Sequence, residues 1–323
     1  MISQERAEGK KAKNRPGPLW TACLIAILTP IHLSGQAICS APHSSPTLAQ
    51  SGSLRTLPKG AGWIQVAAYG QRATDFFDPN GDRQAFLADS QFDTRSLFFT
   101  GAIGIVEGVE LWAQVPVHNL NVESLGGDSR TSGLGDLRVA ARFGSELLNL
   151  DIPLSLRLGA KIPGSDFPVD ATVLPLTEGQ RDWEASLEAG FSLPDRSEYL
   201  MGWVGYRWRE ANKEAAREPG DELFASLSVG GTVGTVSWGL TADALWGGVP
   251  LAQGFELPGD KRRLIQVLPT IGRRVGPGHL EVTGQLPVSG QNLPVGLGIS
   301  LGYRLSWGLD PEPLTDLRDF FRG

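Results

Sequence analysis

The sequence predicts an all-β protein, a single transmembrane antiparallel meander β-barrel of about 12 strands. Three observations predict it. Between residues 62 and 307, short runs alternate apolar residues with polar residues or glycine, and a period of two places successive side chains on opposite faces of a strand. The connectors between the runs alternate between short and long. Glycine accounts for 41 of 323 residues, against a usual share of about 7%, and much of the excess lies inside the runs.

The first 41 residues are predicted to be a signal peptide that directs export. A basic head from Arg6 to Arg15 precedes an apolar stretch of 15 residues, Leu19 to Leu33, and small residues follow around Ala37. This order is typical of a secretory signal. A helical membrane anchor is the alternative, but the stretch is short for a span and Pro30 interrupts it.

Cysteine usage and charge agree with export. Both cysteines, Cys23 and Cys39, lie in or beside the predicted signal peptide, so no internal disulfide framework is expected. The formal net charge is -6, and removal of the basic head makes the mature chain more acidic. An acidic chain argues against nucleic acid as a partner, because nucleic-acid binding needs a basic face.

The remaining chain divides into a periplasmic linker (42–61), the barrel (62–307) and a periplasmic C-terminal tail (308–323). The linker is rich in Ser, Pro and Gly. Most runs approach the roughly 9 to 11 residues that a tilted strand needs to cross the hydrocarbon layer. The predicted strands are 62–72, 93–104, 109–121, 136–143, 152–162, 181–193, 199–209, 222–233, 235–247, 261–275, 279–288 and 296–307.

Connector length predicts the orientation of the barrel. Connectors after even-numbered strands are short, such as 105–108 and the single Gly234, whereas those after odd-numbered strands are mostly long, such as 73–92 and 164–180. Bacterial outer-membrane barrels have short periplasmic turns and longer outer loops. We therefore expect both termini in the periplasm of a Gram-negative cell, with 290–295 as one unusually short outer loop.

Charged residues recur in the middle of the strands and predict the lumen face. In 152–162, Arg157 and Lys161 alternate with leucines and isoleucines. A midplane charge against lipid costs roughly 2 to 4 kcal/mol, so these side chains must point inward. They are expected either to set electrostatic selectivity or to pair and hold a narrow barrel shut. The predicted lumen residues are Arg138, Arg142, Arg157, Lys161, Glu184, Glu188, Arg207 and Arg304.

Aromatic residues near the strand ends predict girdles at the two lipid headgroup levels. A secreted β-sandwich is the alternative, because its strands also have one apolar face. Meander order, connector rhythm and mid-strand charge favour the barrel. The predicted girdle residues are Trp63, Tyr69, Trp183, Trp208, Trp238, Trp246 and Trp307.

The candidate chemical motifs are weak. Gly133 to Asp136 is glycine-rich, but no helix pattern follows it, as a phosphate-binding loop would need. Asp78 to Asp82 offers oxygen ligands without the spacing of a calcium loop. No serine is placed beside His118 or His279 on a lipid-facing strand, as a lipid-hydrolysing enzyme would need. The sequence therefore predicts no enzyme, no metal and no cofactor.

Several segments resemble the outer-membrane family named for the MetA pathway of phenol degradation. They are Thr56–Gly60, Ser132–Leu137, Leu286–Asn292 and Gly302–Leu305. The resemblance implies a passive outer-membrane channel or transporter for small hydrophobic or aromatic molecules, and it brings no catalytic residues. The implied partners are the lipid bilayer, the barrel-assembly machinery and a small-molecule substrate. A non-transporting barrel that serves as scaffold or adhesion protein is the alternative function.

The last strand resembles the terminal assembly signal that barrel-insertion machinery recognises, yet the chain continues beyond it. Leu297 to Trp307 alternates most regularly of all the runs. In the tail, Leu314 and Leu317 fall at roughly helical spacing. The tail is therefore expected to form a short amphipathic turn or to be disordered.

Overall fold

The structure, a computed structural model, describes residues 55–87, 90–124, 127–150, 152–168, 173–193 and 197–309. The predicted signal peptide, most of the predicted linker and all but the first two residues of the predicted tail lie outside the described residues. Within the described ranges, no helix combines the length and the apolar character that a membrane-crossing helix needs.

The described residues form 17 strands, of which twelve make the wall of a closed barrel and confirm the predicted fold. The strands are β1 Gly62–Phe77, β2 Arg83–Ala85, β3 Gln91–Val106, β4 Val109–Glu123, β5 Ser129–Leu134, β6 Leu137–Gly144, β7 Leu154–Ile162, β8 Asp182–Ser192, β9 Tyr199–Arg209, β10 Arg217–Glu218, β11 Glu222–Val233, β12 Val236–Gly247, β13 Leu251–Ala252, β14 Phe255–Glu256, β15 Arg263–Val275, β16 Gly278–Gln291 and β17 Leu293–Trp307. The wall strands are β1, β3, β4, β6, β7, β8, β9, β11, β12, β15, β16 and β17, and β5 pairs with β4 beyond the end of β6.

Each wall strand pairs antiparallel with the next one, and β17 returns to pair with β1. In that closing seam Gly62 lies opposite Trp307 and Phe77 lies opposite Leu293. A closed ring leaves no strand edge unpaired. Every backbone donor and acceptor of the wall can then be satisfied without water, which hydrocarbon surroundings demand.

The wall has two chemically different faces, as the alternation predicts. On β17, Leu297, Ile299 and Leu301 are exposed on the outside, whereas Gly298 and Ser300 are buried on the inside. Exposed leucine, isoleucine and valine side chains recur on the other wall strands. An apolar exterior around a polar interior suits lipid outside and a polar lumen inside.

An arginine on the outer face is expected to destabilise the barrel if that face meets lipid. Leu227 projects outward from the middle of β11 and is 55% exposed. We expect Leu227→Arg to lower the free energy of unfolding in lipid vesicles by roughly 2 to 4 kcal/mol, measured by guanidinium titration. Leu148→Arg is the matched control, because Leu148 is exposed in a short connecting 3-10 helix. Equal effects of the two arginines would contradict a lipid-facing wall.

The two ends of the barrel differ. One end carries tight turns in which Gly108, Gly234 and Gly276 adopt positive φ, a conformation that glycine reaches without steric cost. The described chain also enters and leaves the wall at this end, which is named the short-turn end. The β6–β7 and β8–β9 connectors also lie at this end. The opposite, long-loop end carries the other connectors and a small sheet of β10, β13 and β14.

Two details at the long-loop end differ from the prediction. β16 and β17 are separated by Asn292 alone, at φ 55°, so the loop expected at 290–295 is almost entirely strand. The short strands β2 and β5 extend pairing beyond the predicted runs. Both lack the apolar alternation that identifies a lipid-facing strand, because they are rich in polar residues.

Candidate functional site

All eight predicted lumen residues lie on the inward face, but they do not form one site. Arg138, Arg142, Lys161, Glu188 and Arg207 are buried, and the other three are half-buried. Seven of the eight divide between two ion-pair networks at different heights in the barrel. The remaining residue, Arg304, lies over the Trp63 ring at 5.0 Å and donates to Gln65 at 3.2 Å.

The upper network lies toward the long-loop end and joins five cations to five carboxylates, so its formal charge is balanced. Such balance is what burial requires, since an unpaired buried charge is strongly destabilising. Its members are Arg138, Lys161, Arg207, Arg209, Arg262, Asp136, Glu178, Asp182, Glu184 and Glu222.

Lys161 lies at the centre of the upper network. Its side chain has no solvent exposure, and its Nζ lies 2.9 Å from an Asp182 oxygen and 3.3 Å from an Asp136 oxygen. Nζ also contacts Glu178. Three carboxylates around one ammonium group compensate the loss of hydration that burial imposes on all four groups. Lys161 therefore connects the wall strands β7 and β8 to the loop that carries Glu178.

The loop between β7 and β8 folds inward across the long-loop end. Glu178 of this loop contacts Arg209 as well as Lys161, and its Oε1 lies 3.4 Å from an Arg262 nitrogen. Burial by itself would raise the pKa of Glu178, but Arg209, Lys161 and Arg262 hold that pKa well below its usual range. Residues 173–180 are named the inner loop segment.

The other side of the inner loop segment is held by apolar packing. Leu176 is buried against Ala73 of β1, Phe92 of β3 and Leu120 of β4. These strands lie beyond β6 from the β7–β9 wall that holds Glu178. The segment is therefore attached to two separate parts of the wall and narrows the mouth of the barrel.

The lower network lies toward the short-turn end. The Glu188 carboxylate forms ion pairs with Arg142, at 2.8 Å from its Nε, and with Arg157, at 2.7 Å from its Nε. A second nitrogen of Arg142 lies 3.6 Å from a Glu110 oxygen. Ser155 accepts a hydrogen bond from Arg142 at 2.9 Å. Two cations again face two carboxylates, so this network also adds no net charge to the lumen.

The N-terminal segment, Arg55–Ala61, enters the barrel at the short-turn end. The Leu57 side chain is buried against Trp63, Ala102 and Trp112. Polar contacts fix the same segment, because the Leu57 amide donates to Glu110 at 3.2 Å and Arg142 donates to the Arg55 carbonyl at 3.1 Å. The segment narrows the lumen at this end.

The remaining lumen wall, from β11 through β12, β15, β16 and β17 to β1, is mostly lined by uncharged polar side chains. Tyr69 donates to Gln285 at 2.6 Å, and Gln285 donates to Gln266 at 2.7 Å. The first of these bonds crosses β17 at Gly298, where an added Cβ would lie 2.6 Å from the Tyr69 hydroxyl. A search for mid-strand charge does not identify this mostly uncharged part of the lumen. Serine, threonine and glutamine at alternate strand positions are the sequence pattern that predicts it.

The structure corrects two of the predicted girdle residues. Trp63 is only 4% exposed, and Tyr69 donates to Gln285 inside the lumen. Both share the parity of Gln65, which also faces the lumen, so placing these two in a lipid-facing girdle is wrong. The other five project outward and remain predicted girdle residues: Trp183, Trp208, Trp238, Trp246 and Trp307.

The two histidines of the wall each contact a serine. Ser96 Oγ lies 2.7 Å from His118 Nδ1, and Ser237 Oγ lies 3.1 Å from His279 Nε2. Both pairs face the lumen, whereas attack on membrane lipid requires a lipid-facing nucleophile. Among the described residues, no group of three or more His, Cys, Asp or Glu side chains is arranged to hold a metal ion.

A hollow of about 1110 Å³ crosses the outer wall over β3, β4, β6, β7 and β8. Small outward residues make it, among them Gly101, Ala113 and Ala160, and Trp183 and Trp307 also line it. Its lining is almost entirely apolar, so hydrocarbon chains suit it better than water.

Comparison with one solved structure shows the same fold. A crystal structure of the COG4313 outer membrane channel from Pseudomonas putida F1 aligns with a TM-score of 0.67 and 18% identity, over 79% of this chain and 98% of that chain. The β domain of the Bordetella autotransporter BrkA aligns with a TM-score of 0.46 and 16% identity, over 76% and 100%. No curated protein sequence matches the chain.

The closed barrel with its apolar exterior is an outer-membrane fold, and the protein is located in the outer membrane. A family model described as "Putative MetA-pathway of phenol degradation" matches residues 69–303. That match covers most of the wall, from β1 to β17. The chain belongs to this family.

Proposed function

We propose that this protein is a passive outer-membrane channel for small uncharged molecules, hydrophobic and aromatic ones among them. The observation that carries the proposal is the division of the lumen. Its charged side is neutralised by internal ion pairs, and its other side presents mainly hydroxyl and amide groups, with Arg304, Glu281 and Asp243 as its charged residues. An ion that enters a pore with few unpaired charges loses hydration and gains little in return. A neutral solute avoids that cost.

The paired charges act in this proposal as structural groups. The sequence left open whether Arg138, Lys161 and Arg207 set selectivity or hold the barrel shut. Their ion pairs at 0% to 17% side-chain exposure support the second role. The chain needs no reaction chemistry for this function, and the barrel-assembly machinery would serve as its partner during insertion.

The inner loop segment and the N-terminal segment would be the two constrictions on the path. The inner loop segment is held by side-chain contacts and a few hydrogen bonds, and the N-terminal segment by side-chain packing and one short backbone bridge to Gly104 of β3. Segments attached in this way can open at much lower cost than the wall. A scaffold barrel without transport is the second candidate, and it would need neither segment to move.

Uptake of radiolabelled toluene by cells that produce the chain, compared with cells that lack it, tests the proposal. Toluene is small, uncharged and aromatic. Faster entry into the producing cells is expected, because the lumen offers a route around the lipid headgroups. Equal entry in both cell types, also with both constrictions released by substitution, would favour the scaffold.

Leu57→Asp is expected to release the N-terminal segment and raise the single-channel conductance in planar bilayers. The change removes a buried leucine, which by itself costs about 2 to 5 kcal/mol, and it places a second carboxylate near Glu110. A shift of that size changes the closed-to-open ratio by tenfold or more. Leu148→Asp, at an exposed position, is the control. Unchanged conductance in Leu57→Asp would show that this segment does not limit flow.

A further inference from the structure

The outward face of β1, β3, β4 and β5 changes from apolar to polar near the long-loop end. On β3 the outward residues are apolar or glycine as far as Leu97, and the next one is Arg95. On β4 the change falls between Val117 and Asn119. Because these strands continue past the boundary, their outward side chains there lie at the level of the lipid headgroups and not of the hydrocarbon.

Three arginines project outward above this boundary and are exposed: Arg72 on β1, Arg95 on β3 and Arg130 on β5. The strand register brings them together. Arg72 lies opposite Asp93, Asp93 lies opposite Asn121, and Asn121 lies opposite Arg130. Arg95 is the next outward residue of β3 after Asp93. The three guanidinium groups therefore belong to one surface, which is named the basic patch.

The carboxylates on the same face are already engaged. Asp93 accepts two hydrogen bonds from Arg72, at 2.7 and 3.1 Å. Glu123 accepts one from Gln91 at 2.6 Å and one from Asn121 at 3.1 Å. The acidic groups of the patch are thus held by their own neighbours.

The guanidinium groups of Arg95 and Arg130 remain available. Neither forms an ion pair or a side-chain hydrogen bond within the part of the chain that the structure describes. They lie two strands apart with an offset of two residues, so their Cα atoms are separated by about 12 Å. Between them, Asn119 donates to the Ser132 hydroxyl at 2.7 Å, and that hydroxyl keeps its own proton to donate. Two long side chains at this spacing can reach one group between them.

The chemistry of the basic patch fits phosphate. A guanidinium group donates two parallel N–H bonds that match two phosphate oxygens, and clusters of basic residues at a membrane surface bind anionic lipid headgroups. The long loops of outer-membrane barrels face the outside of the cell. The outer leaflet on that side is built from lipopolysaccharide, whose sugar headgroup carries phosphate groups at the level of the patch.

We infer that Arg95 and Arg130, with Ser132 between them, form a binding site on the outer wall for the phosphorylated headgroup of lipopolysaccharide. The two guanidinium groups pair with phosphate oxygens, and the Ser132 hydroxyl donates to a further headgroup oxygen. The acyl chains of the same lipid lie against the outward apolar residues below the patch, such as Leu97 and Val117. This site is independent of transport through the lumen, so it goes beyond the proposed function.

Lipid A, the phosphorylated anchor of lipopolysaccharide, tests the inference beside lipid A from which the phosphates have been removed. The purified full-length barrel in detergent micelles is titrated with each lipid, and native mass spectrometry counts the barrels that retain one. We expect Arg95→Gln/Arg130→Gln to bind the phosphorylated lipid about tenfold more weakly than the wild type. The two proteins should bind the dephosphorylated lipid equally.

Arg273→Gln/Arg274→Gln is the matched control, because it removes two exposed arginines of β15 beside the Gly276 turn at the short-turn end. Arg95→Lys/Arg130→Lys keeps the charge without the paired N–H groups and is expected to bind with intermediate affinity. Equal binding by the wild type and Arg95→Gln/Arg130→Gln, or an equal loss in the control, would overturn the site. An equal loss with dephosphorylated lipid would also overturn it, because phosphate would then not be the group recognised. Retention of the heat-modifiable gel mobility typical of folded barrels confirms folding of each variant.

Discussion

Replacing Glu178 by alanine is expected to open the long-loop end of the barrel and to increase its single-channel conductance several-fold. Glu178 is the carboxylate of the inner loop segment that contacts Lys161, Arg209 and Arg262. Its removal leaves these cations short of one partner, and breaking a buried pair from one side costs about 3 to 5 kcal/mol. The loop loses its ionic attachment to the β7–β9 wall, and packing at Leu176 together with hydrogen bonds such as the one from Asn212 to the carbonyl of residue 178 then holds it.

Planar-bilayer recordings of wild type, Glu178→Ala and Glu214→Ala measure this effect. Glu214 is an exposed carboxylate of the next long loop, so its removal controls for loss of surface charge. A conductance of Glu178→Ala equal to that of both others would show that the inner loop segment does not limit flow.

The pH dependence supplies an independent check on the same attachment. The folded-state pKa of Glu178 lies well below the unfolded value of 4.5, so its contribution to stability is present above that value and is lost as the pH falls through the folded-state pKa. Wild-type conductance should therefore stay constant around neutrality and rise only in acid below pH 4.5. Glu178→Ala should lack that step, which makes a step of equal size in the variant evidence against the assignment.

Replacing Lys161 by methionine is expected to have the largest effect on stability. Methionine fills a similar volume without charge, and Asp136, Glu178 and Asp182 are left crowded around an apolar side chain. The expected loss is about 3 to 5 kcal/mol in the free energy of unfolding. Guanidinium unfolding in lipid vesicles measures it, with Lys213→Met at an exposed loop position as control.

A second substitution separates the loss of charge balance from a general defect. Adding Asp136→Asn to Lys161→Met removes one of the stranded carboxylates and should restore part of the lost stability, which appears as a coupling free energy in a double-mutant cycle. Strictly additive losses would show that the two side chains act independently and that the network does not hold the wall as described.

The wall could be predicted from sequence because two strong constraints act on it together. Period-two alternation follows from strand geometry, and the cost of charge in hydrocarbon forces Arg157 and Lys161 inward. The same parity argument was available for Trp63 and Tyr69. For these two residues, the preference of aromatic rings for lipid headgroups predicted an outward position. Gln65 has the same parity and faces the lumen, so parity predicts the inward position that the structure shows.

The constrictions could not be predicted from sequence. Leu176 and Leu57 lie in segments without alternation, and their contacts join residues far apart in the chain. Glycine, serine and proline around them are typical of surface connectors. Whether such a connector turns into the lumen depends on long-range partners such as Arg209 and Arg262, which no local pattern identifies.

The pairing of β1 with β17 means that the barrel does not depend on which strand comes first in the chain. Because Gly62 and Trp307 are paired neighbours, the first and last wall strands lie side by side in a closed ring. Hydrogen bonds, and not the chain itself, connect them. Joining the two positions by a short peptide and opening the ring in an exposed loop, such as the one containing Lys213 and Glu214, would leave the twelve wall strands and their side-chain faces unchanged. In this topology the chain ends can be moved to another exposed loop, and a circular permutant is expected to form the same barrel.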